Sequence, residues 1–233
     1  MSINALLTLI VLVIAAVVIG GVLLFQGGER TASSTAQTVP AEVLRKPDSH
    51  TLTQGPGDEV TVVEFLDYQC PSCASFYRNL TKQIEREYAG RITFVPRSFP
   101  LDMHELGMPA ARAAEAAALQ GKYQEMYHAL FDNYESWAVA ADGQNLSEDR
   151  EHASAQFDRF ARQIGLDLEQ FHRDMASPQV TERIERDKAD GKKAGVSGTP
   201  TIFINGRQFE PSGETFQDVG NQFRAALDEE LAR

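Results

Sequence analysis

Val60-Thr61-Val62-Val63-Glu64-Phe65-Leu66-Asp67-Tyr68-Gln69-Cys70-Pro71-Ser72-Cys73 is the stretch that decides how this chain folds. Residues 60–66 are rich in β-branched and aromatic side chains and predict a buried strand. Beyond the stretch, Phe76, Leu80, Ile84 and Tyr88 recur every fourth residue, which places them along one helix face over 74–89, and Gly90 offers a stop. Cys70 and Cys73, the chain's only cysteines, therefore sit where a strand passes into a helix. The start of a helix has unpaired backbone N–H groups and a partial positive charge, and both favour a thiolate on the first cysteine. One helical turn also brings the two sulfurs within reach of a small, reversible disulfide ring. These are the requirements of thiol-disulfide exchange, with Cys70 attacking from the helix start and Cys73 resolving from a turn inside. Pro71 suits the first helical turn, where its missing N–H is no loss.

Upstream, Gly55-Pro56-Gly57-Asp58 is turn chemistry before the strand. Residues 29 to about 40 are rich in Ser, Thr, Ala and Gln and predict a tether, with order resuming between Val43 and Gly57. No charge interrupts 5–25, a run of about 21 residues that suffices to cross a hydrocarbon core of about 30 Å. This predicts an uncleaved membrane anchor over 1–28. A cleaved signal would have a shorter apolar run and a small-x-small site, whereas Phe25-Gln26-Gly27 fits poorly and Ser34-Thr35-Ala36 lies late. No Lys or Arg precedes the run and Arg30 follows it, so the positive-inside rule alone leans against a cytoplasmic N-terminus. The expected organisation is anchor 1–28, linker and start of order 29–55, and one domain over 56–233.

Downstream, residues 91–96 predict a second strand, which completes a βαβ unit with a parallel pair. A helical block follows over about 102–194, with four or five helices near 108–121, 124–133, 149–164, 167–175 and 178–189. The chain then returns to sheet. Thr201-Ile202-Phe203-Ile204 and Arg207-Gln208-Phe209 flank the hairpin signal Asn205-Gly206. A closing helix over 215–231 carries Phe216, Val219, Phe223 and Leu227 on one side. The expected class is α/β, with order βαβ, helical insertion, then ββα.

A net charge of -11 and a pI near 4.9 exclude a basic field for nucleic acid or an anionic membrane surface. Two cysteines cannot staple a small scaffold. No second Cys pair exists to complete a zinc site, even counting His104 and His128, so no metal is expected. Trp137, with Tyr134 and Phe131, reads as core material.

The stretch from Val63 to Cys73, taken with Val196-Ser197-Gly198-Thr199-Pro200-Thr201, resembles the DsbA-like branch of the thioredoxin superfamily. More narrowly, it resembles the membrane-anchored, extracytoplasmic BdbD-like members of Gram-positive bacteria. The likeness runs from about Val43 to the C-terminus and includes Arg97-Ser98-Phe99-Pro100-Leu101 and His104. It implies a thioredoxin fold with a helical insertion, and a redox-active Cys70-Cys73 disulfide in place of any cofactor. It also implies a cis Thr199-Pro200 bond facing the cysteines, with the Thr199 backbone exposed to pair with an extended substrate.

Glu64, a lone carboxylate in an apolar strand, matches the family's buried acid. It would exchange a proton with Cys73, or serve as a satisfied structural carboxylate. Asp67 is the alternative for that role, although its place at the strand end suggests exposure and capping. His104 matches a family histidine, and a structural or capping role is expected of it. Ser72 and Pro71 tune the site. Strongly oxidising members carry histidine where Ser72 stands, which makes a milder potential plausible. The implied activity is disulfide exchange with cysteine-containing secreted or surface proteins from a single-pass membrane position, as an oxidase reoxidised by a membrane redox partner. A reductase or isomerase, and a tethered binding module without catalysis, are the alternatives.

Overall fold

The computed structural model describes residues 38–213 and 215–233. The expected anchor and residues 29–37 of the expected linker lie outside the described residues, among which no helix is long and apolar enough to cross a membrane.

A short helix α1 (Ala41–Leu44) leads to β1 (Thr61–Leu66). The helix that follows has three parts: α2 (Pro71–Phe76), a π-helical turn (Tyr77–Thr81) and α3 (Lys82–Glu87). β2 (Thr93–Ser98) pairs parallel with β1 in the register Thr61↔Thr93 to Leu66↔Ser98, so the βαβ unit forms as the apolar pattern predicts. Five α-helices make up the insertion: α4 (Gly107–Leu119), α5 (Tyr123–Asp132), α6 (Arg150–Gln163), α7 (Leu168–Met175) and α8 (Pro178–Lys193). Asp149, Asp167 and Ser177 cap α6, α7 and α8, each side chain accepting a backbone N–H of the first turn.

β3 (Thr201–Ile204), β4 (Arg207–Gln208) and α9 (Phe216–Leu231) close the chain. The sheet order is β2-β1-β3-β4, with β3 antiparallel to β1. Asn205 and Gly206 both adopt positive φ, 45° and 83°, as a two-residue hairpin with right-handed strand twist requires. The Asn205 side chain ties this turn back to β1 by accepting the Thr61 N–H at 2.8 Å.

Two departures from the expected helices have physical causes. The four-residue repeat predicts an uninterrupted helix over 74–89, but the π turn widens it so that Tyr77 and Thr81 are buried alongside Phe76 and Leu80. π turns of this kind recur near functional sites. In α9, Phe223 and Leu227 are buried as expected, whereas Phe216 begins the helix and remains 47% exposed.

Strand alternation divides the core. Val62 and Leu66 point to the side holding the active-site helix, the insertion and α9, while Val63 and Phe65 face Val95, Phe99, Val196 and Phe203. Glu64 therefore points to the active-site-helix side. On the other side α8 approaches so closely at Gly191 that a β-carbon there would lie 2.7 Å from the Phe99 ring.

Candidate active site

The site is assembled where β1 ends. The Cys70 N–H donates to the Asp67 carbonyl at 3.1 Å, the Ala74 N–H donates to the Cys70 carbonyl at 3.0 Å, and Cys70 sits in extended geometry at the N-cap with Pro71 behind it. Both cysteines are free thiols. The expectation that Cys70 is the exposed sulfur is corrected in degree: Cys70 retains 5% exposure and Cys73 none, while Pro71 and Ser72 are exposed. The cause is Thr199, whose carbonyl accepts from the Cys70 thiol at 3.3 Å. The Thr199-Pro200 bond is cis, as expected. The two stretches of the motif, 129 residues apart in sequence, thus meet at one sulfur.

The electrostatics separate the two thiols. Cys70 is lowered to about 5, first by a hydrogen bond from Cys73 and then, against the opposing effect of burial, by the Thr199 side chain and the backbone N–H groups of Cys73 and Ser72. The Thr199 hydroxyl is otherwise buried without a partner. Cys73 is pushed well up, first by burial and then by the neighbouring Cys70 and Glu64. The two thiols are thus driven apart, Cys70 toward the thiolate and Cys73 toward the protonated form.

Glu64 is 1% exposed, and its Oε2 has no hydrogen-bond partner. Burial, and then the negative charges of Cys70 and Glu85, push it up to about 8, so it holds a proton at neutral pH. A neutral acid in the electrostatic field of Cys73 can give that sulfur a proton and take it back.

Asp67 is not the exposed cap that its strand-end position suggests. It is buried, accepting the N–H groups of Gln69 and Leu101 at 2.8 Å each and His104 Nδ1 at 2.7 Å. Gly107 leaves room for it, since a β-carbon there would lie 2.7 Å from Asp67 Oδ1. The carboxylate only accepts, so Nδ1 carries a proton. His104 is raised chiefly by this hydrogen bond, against burial, with added support from the charges of Asp67 and Cys70. His104 and Cys70 are thus electrostatically coupled, with the cysteine's negative charge favouring a proton on the imidazole. His104→Gln is expected to raise the pH at which Cys70 becomes a thiolate, read from the pH dependence of alkylation. An unchanged profile would leave His104 a purely structural role.

Sequence reasoning missed Gln69. Its Oε1 accepts the Leu106 N–H at 2.7 Å, its amide donates to the Ser147 carbonyl at 2.7 Å, and its own carbonyl accepts the Tyr134 hydroxyl at 2.7 Å. No periodicity marks such a residue. Beside the cysteines lies a groove of about 380 Å³, lined by Pro71, Ser72, Phe76, Pro200, Phe209 and Phe216 among others. The exposure of Phe216 is explained by its place in that wall.

Fold and dithiol geometry together are those of a thiol-disulfide oxidoreductase. The family described as Thioredoxin matches residues 53–222, and the chain belongs to it. Among solved structures, a thioredoxin-like oxidoreductase from Silicibacter pomeroyi DSS-3 is similar at 29% identity and TM-score 0.63, over 84% of this chain and 99% of that one. BdbD from Bacillus subtilis, in its oxidised form, shares the fold at 19% identity and TM-score 0.65, over 84% and 97% of the two chains. Curated relatives include the Na(+)/H(+) antiporter NhaA 1 of Mycolicibacterium gilvum (strain PYR-GCK), 32% identical over 180 residues. The match covers 75% of this chain and 27% of the antiporter. The antiporter NhaA of Herminiimonas arsenicoxydans is 33% identical over 160 residues, 68% of this chain and 23% of that protein. The chain spans about a quarter of the length of these curated relatives.

Proposed function

We propose that the protein is an extracytoplasmic thiol-disulfide oxidoreductase, anchored by its N-terminal apolar run in the manner of the Gram-positive BdbD-like type. Its clients are cysteine-containing secreted or surface proteins, and oxidation of those clients is its main direction. The observation that carries this reading is the pairing of a Cys70 lowered to about 5 with a Cys73 pushed well up. A stabilised Cys70 thiolate favours the reduced enzyme, and a reduced form that is stable makes the disulfide form a strong oxidant. The location is proposed because client disulfides persist in oxidising, extracytoplasmic compartments.

In the forward direction a client thiolate attacks Cys70 Sγ of the Cys70-Cys73 disulfide. The S–S bond breaks, its electron pair stays on Cys73, and Glu64 supplies that sulfur with a proton. A second client thiolate then attacks the client sulfur of the mixed disulfide and releases the Cys70 thiolate. The client has lost two electrons and the enzyme has gained them, so a membrane redox partner must accept them to restore the disulfide. The apolar groove beside Pro200 is suited to an extended client segment with apolar side chains flanking its cysteine.

Equilibration with glutathione buffers gives the reduction potential. A value nearer about -120 mV than about -270 mV is expected, and one near the lower figure would overturn the oxidising direction. A reporter fused after Arg233 tests the location, and a cytoplasmic signal would overturn it. Alkylation of reduced Cys70 is expected to be half-maximal near pH 5. Because this folded-state value lies below the ordinary 9.0, the thiolate's contribution to stability is full above 9.0 and is lost as pH falls through about 5. Acid titration of the melting temperature should therefore destabilise the reduced form selectively, relative to the disulfide form.

A further inference from the structure

Glu64 raises a difficulty for the exchange reading on which this inference rests: a buried acid that serves Cys73 must recover its proton from solvent. Glu64 is sealed from the active-site surface. On its side of the sheet the structure offers another exit. A cavity of about 600 Å³ opens behind the active-site helix, and Tyr77, Lys82, Glu85, Arg86, His128 and Asp132 are among the residues that line it. We propose that Glu85 and His128, at the wall of this cavity, form the proton outlet of Glu64, with Tyr127 between them.

Hydrogen-bond accounting at His128 supports the proposal. The Tyr77 hydroxyl has one proton, which it donates to Asp132 Oδ1 at 3.0 Å, because a carboxylate can only accept. His128 Nδ1, 2.9 Å from the same hydroxyl, must then be the donor. Its other ring nitrogen, Nε2, faces Glu85 Oε1 at 3.4 Å. The same Glu85 oxygen also accepts from the Gln124 side-chain amide at 3.4 Å, so carboxylate and imidazole are held side by side at the cavity wall, where a proton can pass between them and solvent.

The route inward is marked by orphaned polar atoms. Glu64 Oε2, Tyr127 Oη and Thr81 Oγ1 are all buried without a hydrogen-bond partner. Each such group costs about 1–3 kcal/mol unless something satisfies it, and buried polar sites of this kind take up internal water. The Tyr127 ring lies 5.5 Å from His128 and 5.6 Å from Tyr77, and its hydroxyl feels the charges of both Glu64 and Glu85. The π turn brings Tyr77 and Thr81 into this region.

The titratable groups acting on Glu64 are Cys70 at the N-cap of α2 and Glu85 from α3, and Glu64 in turn acts on Cys73 of α2 and Tyr127 of α5. Those around Glu85 are His128 and Asp132 from α5, Lys82 and Arg86 from its own helix, and Tyr77 from the π turn. When Cys73 leaves the disulfide and takes the Glu64 proton, the Glu64 carboxylate is refilled from the Glu85/His128 pair. Solvent in the cavity then reprotonates the pair. When Cys73 attacks a mixed disulfide, the proton travels outward along the same path.

The test is the single-turnover reduction of the Cys70-Cys73 disulfide by dithiothreitol across pH. It uses the full chain and its Glu64→Gln, Glu85→Gln, His128→Gln and Glu64→Gln/Glu85→Gln variants, with unchanged melting temperature as the check on folding. Glu85→Gln is expected to slow the step roughly ten-fold and flatten its pH profile. The double variant should be no slower than Glu64→Gln, and added imidazole should restore Glu85→Gln and His128→Gln but not Glu64→Gln. Multiplying effects of Glu64→Gln and Glu85→Gln, or an unchanged profile in Glu85→Gln, would overturn the outlet and leave the exchange reading standing. If Glu85→Gln misfolds, His128→Gln and its imidazole rescue decide the matter by the same criteria. Failure of the unaltered protein to be reduced or to oxidise a peptide dithiol would instead reject the exchange reading itself.

Discussion

Replacing Cys73 by alanine is expected to convert the protein from a turnover catalyst into a trap. Cys70 would keep the Thr199 side chain and the backbone N–H groups of residues 72 and 73, which favour its thiolate, although loss of the Cys73 hydrogen bond shifts its titration upward. It would attack client disulfides, but no second enzyme sulfur would be left to release the product. Mixed disulfides should accumulate through Cys70, visible as adducts that vanish on reduction, while catalysed oxidation falls to the uncatalysed level. Cys70→Ala should give neither adducts nor activity, since the remaining Cys73 is fully buried and held protonated. Trapping by Cys70→Ala instead would invert the roles assigned here.

The largest effect on stability is expected at Arg97. It is buried on β2, and its Nη2 lies 2.8 Å from Asp187 Oδ1 and 3.0 Å from Asp190 Oδ2 on α8. Its Nη1 donates to the Val43 and Leu44 carbonyls of α1, and the guanidinium lies over the Phe65 ring. Arg97→Met removes a cation that joins all three elements. Asp190 keeps Lys46 and Lys193, whereas Asp187 keeps, among the described residues, the Ser98 N–H as its hydrogen-bond donor. An uncompensated buried carboxylate of this kind costs about 3–5 kcal/mol. For a domain of this size that corresponds to a fall in melting temperature of roughly 6–20 °C. Adding Asp187→Asn should recover much of the loss. A loss below about 1 kcal/mol would show that the pair contributes no more than a solvent-exposed bridge.

The parts of this molecule that were legible in its sequence are those written in a local period. The β1–α2 junction, the Asn205-Gly206 hairpin and the five helices of the insertion each follow from spacing, capping or turn chemistry within a dozen residues. Glu64 was legible because a lone carboxylate among Val62, Val63, Phe65 and Leu66 has no solvent to face. Asp67 was not, because an acid at a strand end is ordinarily solvated. Only the fold delivers His104, 37 residues later, to cover it. The π turn escaped because Phe76, Leu80, Ile84 and Tyr88 keep their four-residue spacing while the backbone between them widens. Phe216 was misplaced because amphipathic spacing cannot tell the core from an apolar groove.

Gln69 makes the insertion inseparable from the chemistry it overlies. One amide side chain and one carbonyl, immediately before Cys70, hold the start of α4, the Ser147 loop and the Tyr134 turn. The helical block is therefore tied to the reactive loop through one residue. A chimera that imports a foreign insertion without matching partners for Gln69 would loosen the nucleophile's own turn. Conversely, local opening of the insertion and of the reactive loop should appear in hydrogen exchange as one cooperative unit.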